Sequence, residues 1–182
     1  MFIQTEPTPN PATLKFLPGR AVMESGTANF TEAAAAKTSP LAESLFTLEG
    51  VTGVYLGADF ITVSKAADLD WLQLKPVVLA AIMEHFTSGR PVTTGGAVPV
   101  EAGEEADTEV VSQIKELLET RVRPAVAQDG GDIIFQRFED GVVYLHMQGS
   151  CSGCPSSTAT LKAGIENMLR HYIPEVQEVR PV

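Results

Sequence analysis

Cysteine is nearly absent from this chain: its 182 residues hold two, Cys151 and Cys154, both in one Cys-Ser-Gly-Cys-Pro stretch. A disulfide framework is thereby excluded, and two thiols this close in a reducing compartment suggest metal or redox chemistry more than a structural staple. Positive charge is scarce as well. Lys and Arg number 13 against 23 Asp and Glu, for a formal net charge of -10. No Lys/Arg run could track a phosphate backbone, so nucleic acid is not expected as a partner. The longest apolar run, Pro76 to Met83, falls far short of the ~20 residues of a membrane-spanning helix, and no membrane partner is expected either. Residues 1–6 carry neither the basic start and apolar core of a secretory signal nor the Arg-rich pattern of an organellar presequence. The expected compartment is the cytoplasm, or the mitochondrial matrix if this is a processed form. A Ser-His-Asp order, a P-loop and a Rossmann glycine pattern are all missing, and no enzymatic activity is expected.

What is present divides in two. Residues 95–107, GGAVPVEAGEEAD, combine Gly, Pro and Ala with four carboxylates and have no helix or strand period, so they read as an acidic flexible linker. The expected boundaries are an N-terminal domain over 1–94, a linker over 95–107 and a C-terminal domain over 108–182. Both domains are small α+β units with a sandwich-like arrangement of sheet and helices. In the first, Phe2 to Glu6 and Thr13 to Leu17 read as strands around a Pro-rich turn. Ser39 and Pro40 open a short helix, Val51 to Leu56 and Phe60 to Ser64 form a hairpin, and a second helix runs from about Pro76 to Gly89.

In the second domain Val110, Ile114, Leu117, Leu118 and Val122 recur at helical spacing until Pro124, which is expected to interrupt the helix. Asp129-Gly130-Gly131-Asp132 reads as a turn, Ile133 to Phe138 and Val142 to Met147 as a hairpin through Glu139-Asp140-Gly141, and Leu161, Ile165, Met168, Leu169 and Tyr172 as the apolar stripe of a further helix. A last short strand falls within 176–182. The order is α-β-β-α-β, one sheet with two helices on one face and the cysteine turn at its end.

Two thiolates two residues apart chelate a soft metal from one side, whereas a tetrahedral sulfur site or a four-iron cluster wants about four ligands. One chain therefore supplies half a site. A second copy, a histidine, water or a small thiol completes it, or the pair is a redox dithiol. Pro155 favours a first helical position, which puts Cys154 beside the helix start, where unpaired N–H groups and the helix dipole are expected to lower the pKa of both thiols. Ser150, Ser152 and Ser156 are placed to hydrogen-bond sulfur or to serve as turn and cap residues. A thioredoxin-like reading lacks room, since only one helix and one short strand follow Cys154. A zinc reading could recruit His146 from the strand, while His85 and His171 lie on helices away from the motif. Asp129 and Asp132 pair with no recognisable pocket.

The segments DGGDIIF and GVVYLHMQGSCSGCPSSTATLKAGIE resemble the C-terminal domain of the NifU/Nfu family. FIQTEPTPNPATLKFLPG, SPLAESLF and EGVTGVYLGADFITVSK resemble the separate N-terminal domain of the same family. The resemblance spans nearly the whole chain and implies an iron-sulfur cluster scaffold or carrier, with Cys151 and Cys154 as cofactor ligands. It implies a 4Fe-4S cluster, with 2Fe-2S as the alternative, shared between two protomers of a homodimer, taken from an upstream donor and delivered to apo iron-sulfur acceptor proteins. The competing reading is a thiol/disulfide or zinc-binding module.

Overall fold

The computed structural model describes residues 1–94, 108–151 and 155–182. The chain divides into two compact units, Met1–Val98 and Pro99–Val182. The acidic segment 95–107 lies outside the described residues.

The first unit is built on a five-stranded antiparallel sheet in the order β1-β2-β5-β4-β3, from β1 (Gln4–Pro7), β2 (Thr13–Leu17), β3 (Ala28–Phe30), β4 (Val51–Leu56) and β5 (Ile61–Lys65). Alternation sends Phe16, Val54, Leu56, Ile61 and Val63 into a core shared with Leu41 and Leu45 of α1 (Pro40–Phe46) and Leu74, Val78 and Ile82 of α2 (Trp71–Ser88). Helix α1 starts as its sequence dictates. The Ser39 side chain accepts from the Ala42 N–H at 3.1 Å and donates to the Val92 carbonyl at 2.6 Å, tying the start of one helix to the chain leaving the other.

Helix α2 departs from expectation. It begins at Trp71 under an Asp70 cap, five residues before the expected Pro76, and carries that proline inside. The acceptor orphaned by Pro76 belongs to Leu72, which is 84% exposed and open to water, while the apolar residues that follow hold the helix on the core. Strand β3 was not expected from the sequence. Three residues give no period of their own, and pairing Ala28 with Leu56 and Phe30 with Val54 makes them a strand.

The second unit has the expected α-β-β-α-β order. Its sheet runs β6-β7-β8, from β6 (Gly131–Glu139), β7 (Val142–Gly149) and β8 (Glu178–Pro181), with β6 and β7 antiparallel and β7 and β8 parallel. Asp140 and Gly141 both adopt positive φ, +48° and +76°, the twist a two-residue hairpin turn needs. Ile133, Phe135, Val143, Leu145, Met147 and Val179 meet Val111 and Ile114 of α3 (Glu109–Leu117), Val126 of α4 (Arg123–Gln128), and Ile165 and Leu169 of α5 (Pro155–Tyr172) in one core.

Pro124 does not interrupt the helical path. Leu118–Val122 widens into a π-helical turn, with the Arg123 N–H bonded to the Leu118 carbonyl, and Pro124 then takes a first-turn position of α4. The wider turn makes room for the pyrrolidine ring and keeps Leu118, Val122 and Val126 on the core side. Tyr172 also leaves its expected apolar stripe. It is 48% exposed, with the Arg121 guanidinium 5.2 Å from its ring centre.

Candidate functional site

The cysteine turn sits where β7 ends and α5 begins, against the first residues of β6. Gly149 turns the chain with φ +62°, and the two residues after it fold back on their neighbours. The Ser150 N–H donates to the Gly130 carbonyl at 3.2 Å, its hydroxyl donates to the Asp129 carbonyl, and the Cys151 N–H donates to the Gln148 carbonyl at 3.3 Å. From the far side the Thr158 hydroxyl of α5 donates to the Cys151 carbonyl at 3.2 Å. Helix α5 begins at Pro155, as the sequence indicates.

Cys151 is a free cysteine, 5% exposed and part of the hydrophobic core of its unit. The expected lowering of its pKa is overturned. Burial pushes the thiol up to about 12, the Asp129 and Asp132 carboxylates push in the same direction, and only Ser150 opposes them. A dipole acts mainly on groups at the helix's own first turn, and Cys151 precedes Pro155 by four residues. Cys154, Ser152 and the Ser156 side chain lie outside the described residues, as does the expected placement of Cys154 beside the helix start.

The two glycines before β6 answer different demands. Gly130 takes a φ of +78°, which side chains rarely adopt, whereas Gly131 has no such conformation and is needed for space. A methyl group on Gly131 would stand 2.4 Å from the Cys151 Sγ, 2.9 Å from the Gln148 oxygen and 3.0 Å from the Cys151 nitrogen. Asp132, 4% exposed, receives two parallel bonds from Arg123, Nε to Oδ1 and Nη2 to Oδ2, each 2.9 Å, and a third from the Ile133 N–H at 2.8 Å. Glu119 holds the remaining arm of the guanidinium. These bonds hold the Arg123 pKa above its already high ordinary value.

Gly131 and Arg123 were missed at the level of sequence, where the Asp-Gly-Gly-Asp stretch read as a turn and Asp132 was weighed without a partner. Two signals were available: a second glycine where a turn needs one, and a carboxylate leading directly into the apolar Ile133-Ile134-Phe135. His146 stands on the strand face opposite Leu145 and Met147, half-buried, with Nδ1 donating to the Val182 carbonyl at 3.3 Å. His85 is buried in the first unit, and the His171 ring meets Tyr172 edge-on at 5.1 Å. Among the described residues no three His, Cys, Asp or Glu side chains gather in a way that could hold a metal ion.

Comparison with known proteins follows the same division. Residues 3–89 match the family described as scaffold protein Nfu/NifU N terminal, and residues 114–180 match the NifU-like domain. A human protein named NFU1 iron-sulfur cluster scaffold homolog, mitochondrial, is 57% identical over 183 residues, covering all of this chain and 72% of its own length. The Arabidopsis thaliana NifU-like protein 4, mitochondrial, is 53% identical over 184 residues, covering 98% of this chain, which spans 65% of that relative's length. A solution structure of a NifU-like protein from Saccharomyces cerevisiae is 27% identical, with a TM-score of 0.42, covering 52% of this chain and 85% of that one.

Proposed function

This chain belongs to the Nfu/NifU family of iron-sulfur cluster scaffold proteins, and we propose that it carries a 4Fe-4S cluster between two protomers and hands it to apo acceptor proteins. Cys151 and Cys154 are the ligands. The observation that carries this reading is that the chain's two cysteines both fall in the short segment between the end of β7 and the start of α5, inside the NifU-like match. Two thiolates are half of the about four ligands that a 4Fe-4S cluster takes, and a second copy supplies the same pair.

Two ligands per protomer suit a carrier better than a resident cofactor site. Each half can be exchanged stepwise for an acceptor's thiolates, with no oxidant or catalytic base, and the protein performs no turnover of its own. The N-terminal unit docks a donor or acceptor, and its covalent link to the cysteine unit raises the effective concentration of the cluster at that partner. The mitochondrial names of the relatives favour the matrix over the cytoplasm as the working compartment.

Anaerobic reconstitution followed by iron and sulfide analysis and native mass spectrometry tests the reading. One four-iron cluster per dimer is expected, with loss of iron and sulfide in Cys151→Ser and in Cys154→Ser while circular dichroism is retained. Native iron content in either variant, or a four-iron cluster on a monomer without added thiol, overturns it. Zinc in place of iron and sulfide, or a reversible Cys151–Cys154 disulfide without metal, would assign the turn to the competing module.

A further inference from the structure

The Cys151 sulfur faces inward. Cys151 is 5% exposed and packed within the core of its own unit, and its sulfur lies 2.4 Å from where a Cβ on Gly131 would stand. A ligand shared with a second copy of the chain has to be reached from outside, and a sulfur in this position cannot be. Gly131 is also a glycine that no backbone conformation demands, since its φ is not positive. The residue opposite it in the β-ladder is Gly149, which opens the cysteine turn, so the start of β6 and the end of β7 come together with no side chain between them. The volume thus left beside Gly131 is filled by the Cys151 Sγ.

We propose that Gly131 is a positioning residue for Cys151: its missing side chain is the seat that holds the sulfur inward while the protein is empty, and the sulfur leaves that seat to ligate iron. The proposal rests on the ligand role of Cys151 given above. The surrounding bonds leave such a movement open. The Cys151 N–H and carbonyl are held by Gln148 and Thr158, which anchor the backbone, while rotation about the Cα–Cβ bond alone re-aims the sulfur. Seating the thiol between cargo loads removes it from solvent oxidants and from stray metals. It also opposes loading, which makes release easier.

The test uses the full-length empty chain carrying Cys154→Ser, so that iodoacetamide reads Cys151 alone. In the native protein alkylation should be about 100-fold slower than in 6 M urea at the same pH, as expected for a thiol reached only through local opening. Adding Gly131→Ala should accelerate the native reaction at least about tenfold, because the new methyl group takes the sulfur's place. A native rate equal to the unfolded rate, or a folded Gly131→Ala protein with an unchanged rate, overturns the proposal.

If Gly131→Ala folds poorly, melting temperatures in two backgrounds decide. The loss caused by Gly131→Ala should be smaller when Cys151 is replaced by Ala, since the sulfur, the nearest of the atoms it strikes, is gone while the Gln148 oxygen and the Cys151 nitrogen remain, and equal losses overturn the seat. Accessibility and melting are read without cargo. Failure of the ligand role appears instead as unchanged iron in Cys151→Ser, so the two failures are distinct.

Discussion

Arg123 grips Asp132 through two parallel hydrogen bonds of 2.9 Å, Nε to Oδ1 and Nη2 to Oδ2, joining the start of α4 to the second residue of β6 next to the cysteine turn. The pair is unequal: the Asp132 side chain is 5% exposed and that of Arg123 31%. The carboxylate is therefore the dependent partner, since water can reach the guanidinium but hardly reaches Asp132. The π-helical turn over Leu118–Val122 precedes Arg123 immediately and sets the direction from which it reaches the strand.

Breaking that pair from the arginine side should be costly. Arg123→Gln leaves a buried carboxylate unpaired and should lower the unfolding free energy of the second unit by about 3 kcal/mol, the lower end for such pairs because Arg123 is partly exposed. Adding Asp132→Asn should recover part of the loss, because the uncompensated charge is removed. Urea titrations followed by circular dichroism give both values. A single variant as stable as the parent would mean that water replaces Arg123 at no cost.

The first unit should weaken in mild acid. Burial, followed by the positive charge of Arg90, holds the His85 pKa below its ordinary 6.5. In the unfolded chain the ring gains its proton as pH falls through 6.5, before the folded protein can, so the unfolded state binds more protons there. Stability is complete above that pH and declines below it, down to the folded pKa. Trp71, the chain's one tryptophan, reports unfolding of this unit, and the slope between pH 7 and 5 should flatten in His85→Phe. Identical slopes in the two proteins would assign the acid sensitivity elsewhere.

Ser39→Ala removes two bonds with one oxygen: the cap to the Ala42 N–H and the link to the Val92 carbonyl. Ser39 is fully buried and Val92 half-buried, so the Val92 acceptor recovers a water partner only in part. A loss of about 2 kcal/mol is expected in denaturant titrations read at Trp71. Ser39→Thr should retain most of the stability if the cap dominates, and a loss as large as that of the alanine variant would point to packing instead.

Removing residues 1–94 should separate loading from delivery. Both cysteines and the helix after them lie in the remaining segment, so iron content per dimer should stay near that of the full chain. Transfer to an apo acceptor should slow, because a tethered docking contact raises effective concentration and its loss lowers it. Time courses at matched iron and several acceptor concentrations measure this. Equal rates would remove the docking role, and a truncated chain that fails to load would move part of the site into the first unit.

The sequence by itself determined whatever depends on neighbours along the chain. Ser39-Pro40 marked a helix start, Gly89 a helix end, Asp140-Gly141 a hairpin and Pro155 the first turn of α5, because caps and turns are decided by a few adjacent dihedral angles. The alternation in β7 and the helical spacing before Pro124 likewise announced which faces would be buried. The spacing of Cys151 and Cys154 raised the expectation of half a metal site or a redox dithiol. Only the tertiary structure decided what depends on residues distant in the chain. It made a strand of Ala28–Phe30 by pairing it with β4, and it kept a helical path through Pro124 by widening one turn over the core. It also turned the Cys151 sulfur inward onto Gly131, reversing the expected effect on its thiol. The desolvation of a sulfur is set by the strands and helices packed around it, and no local spacing encodes that enclosure.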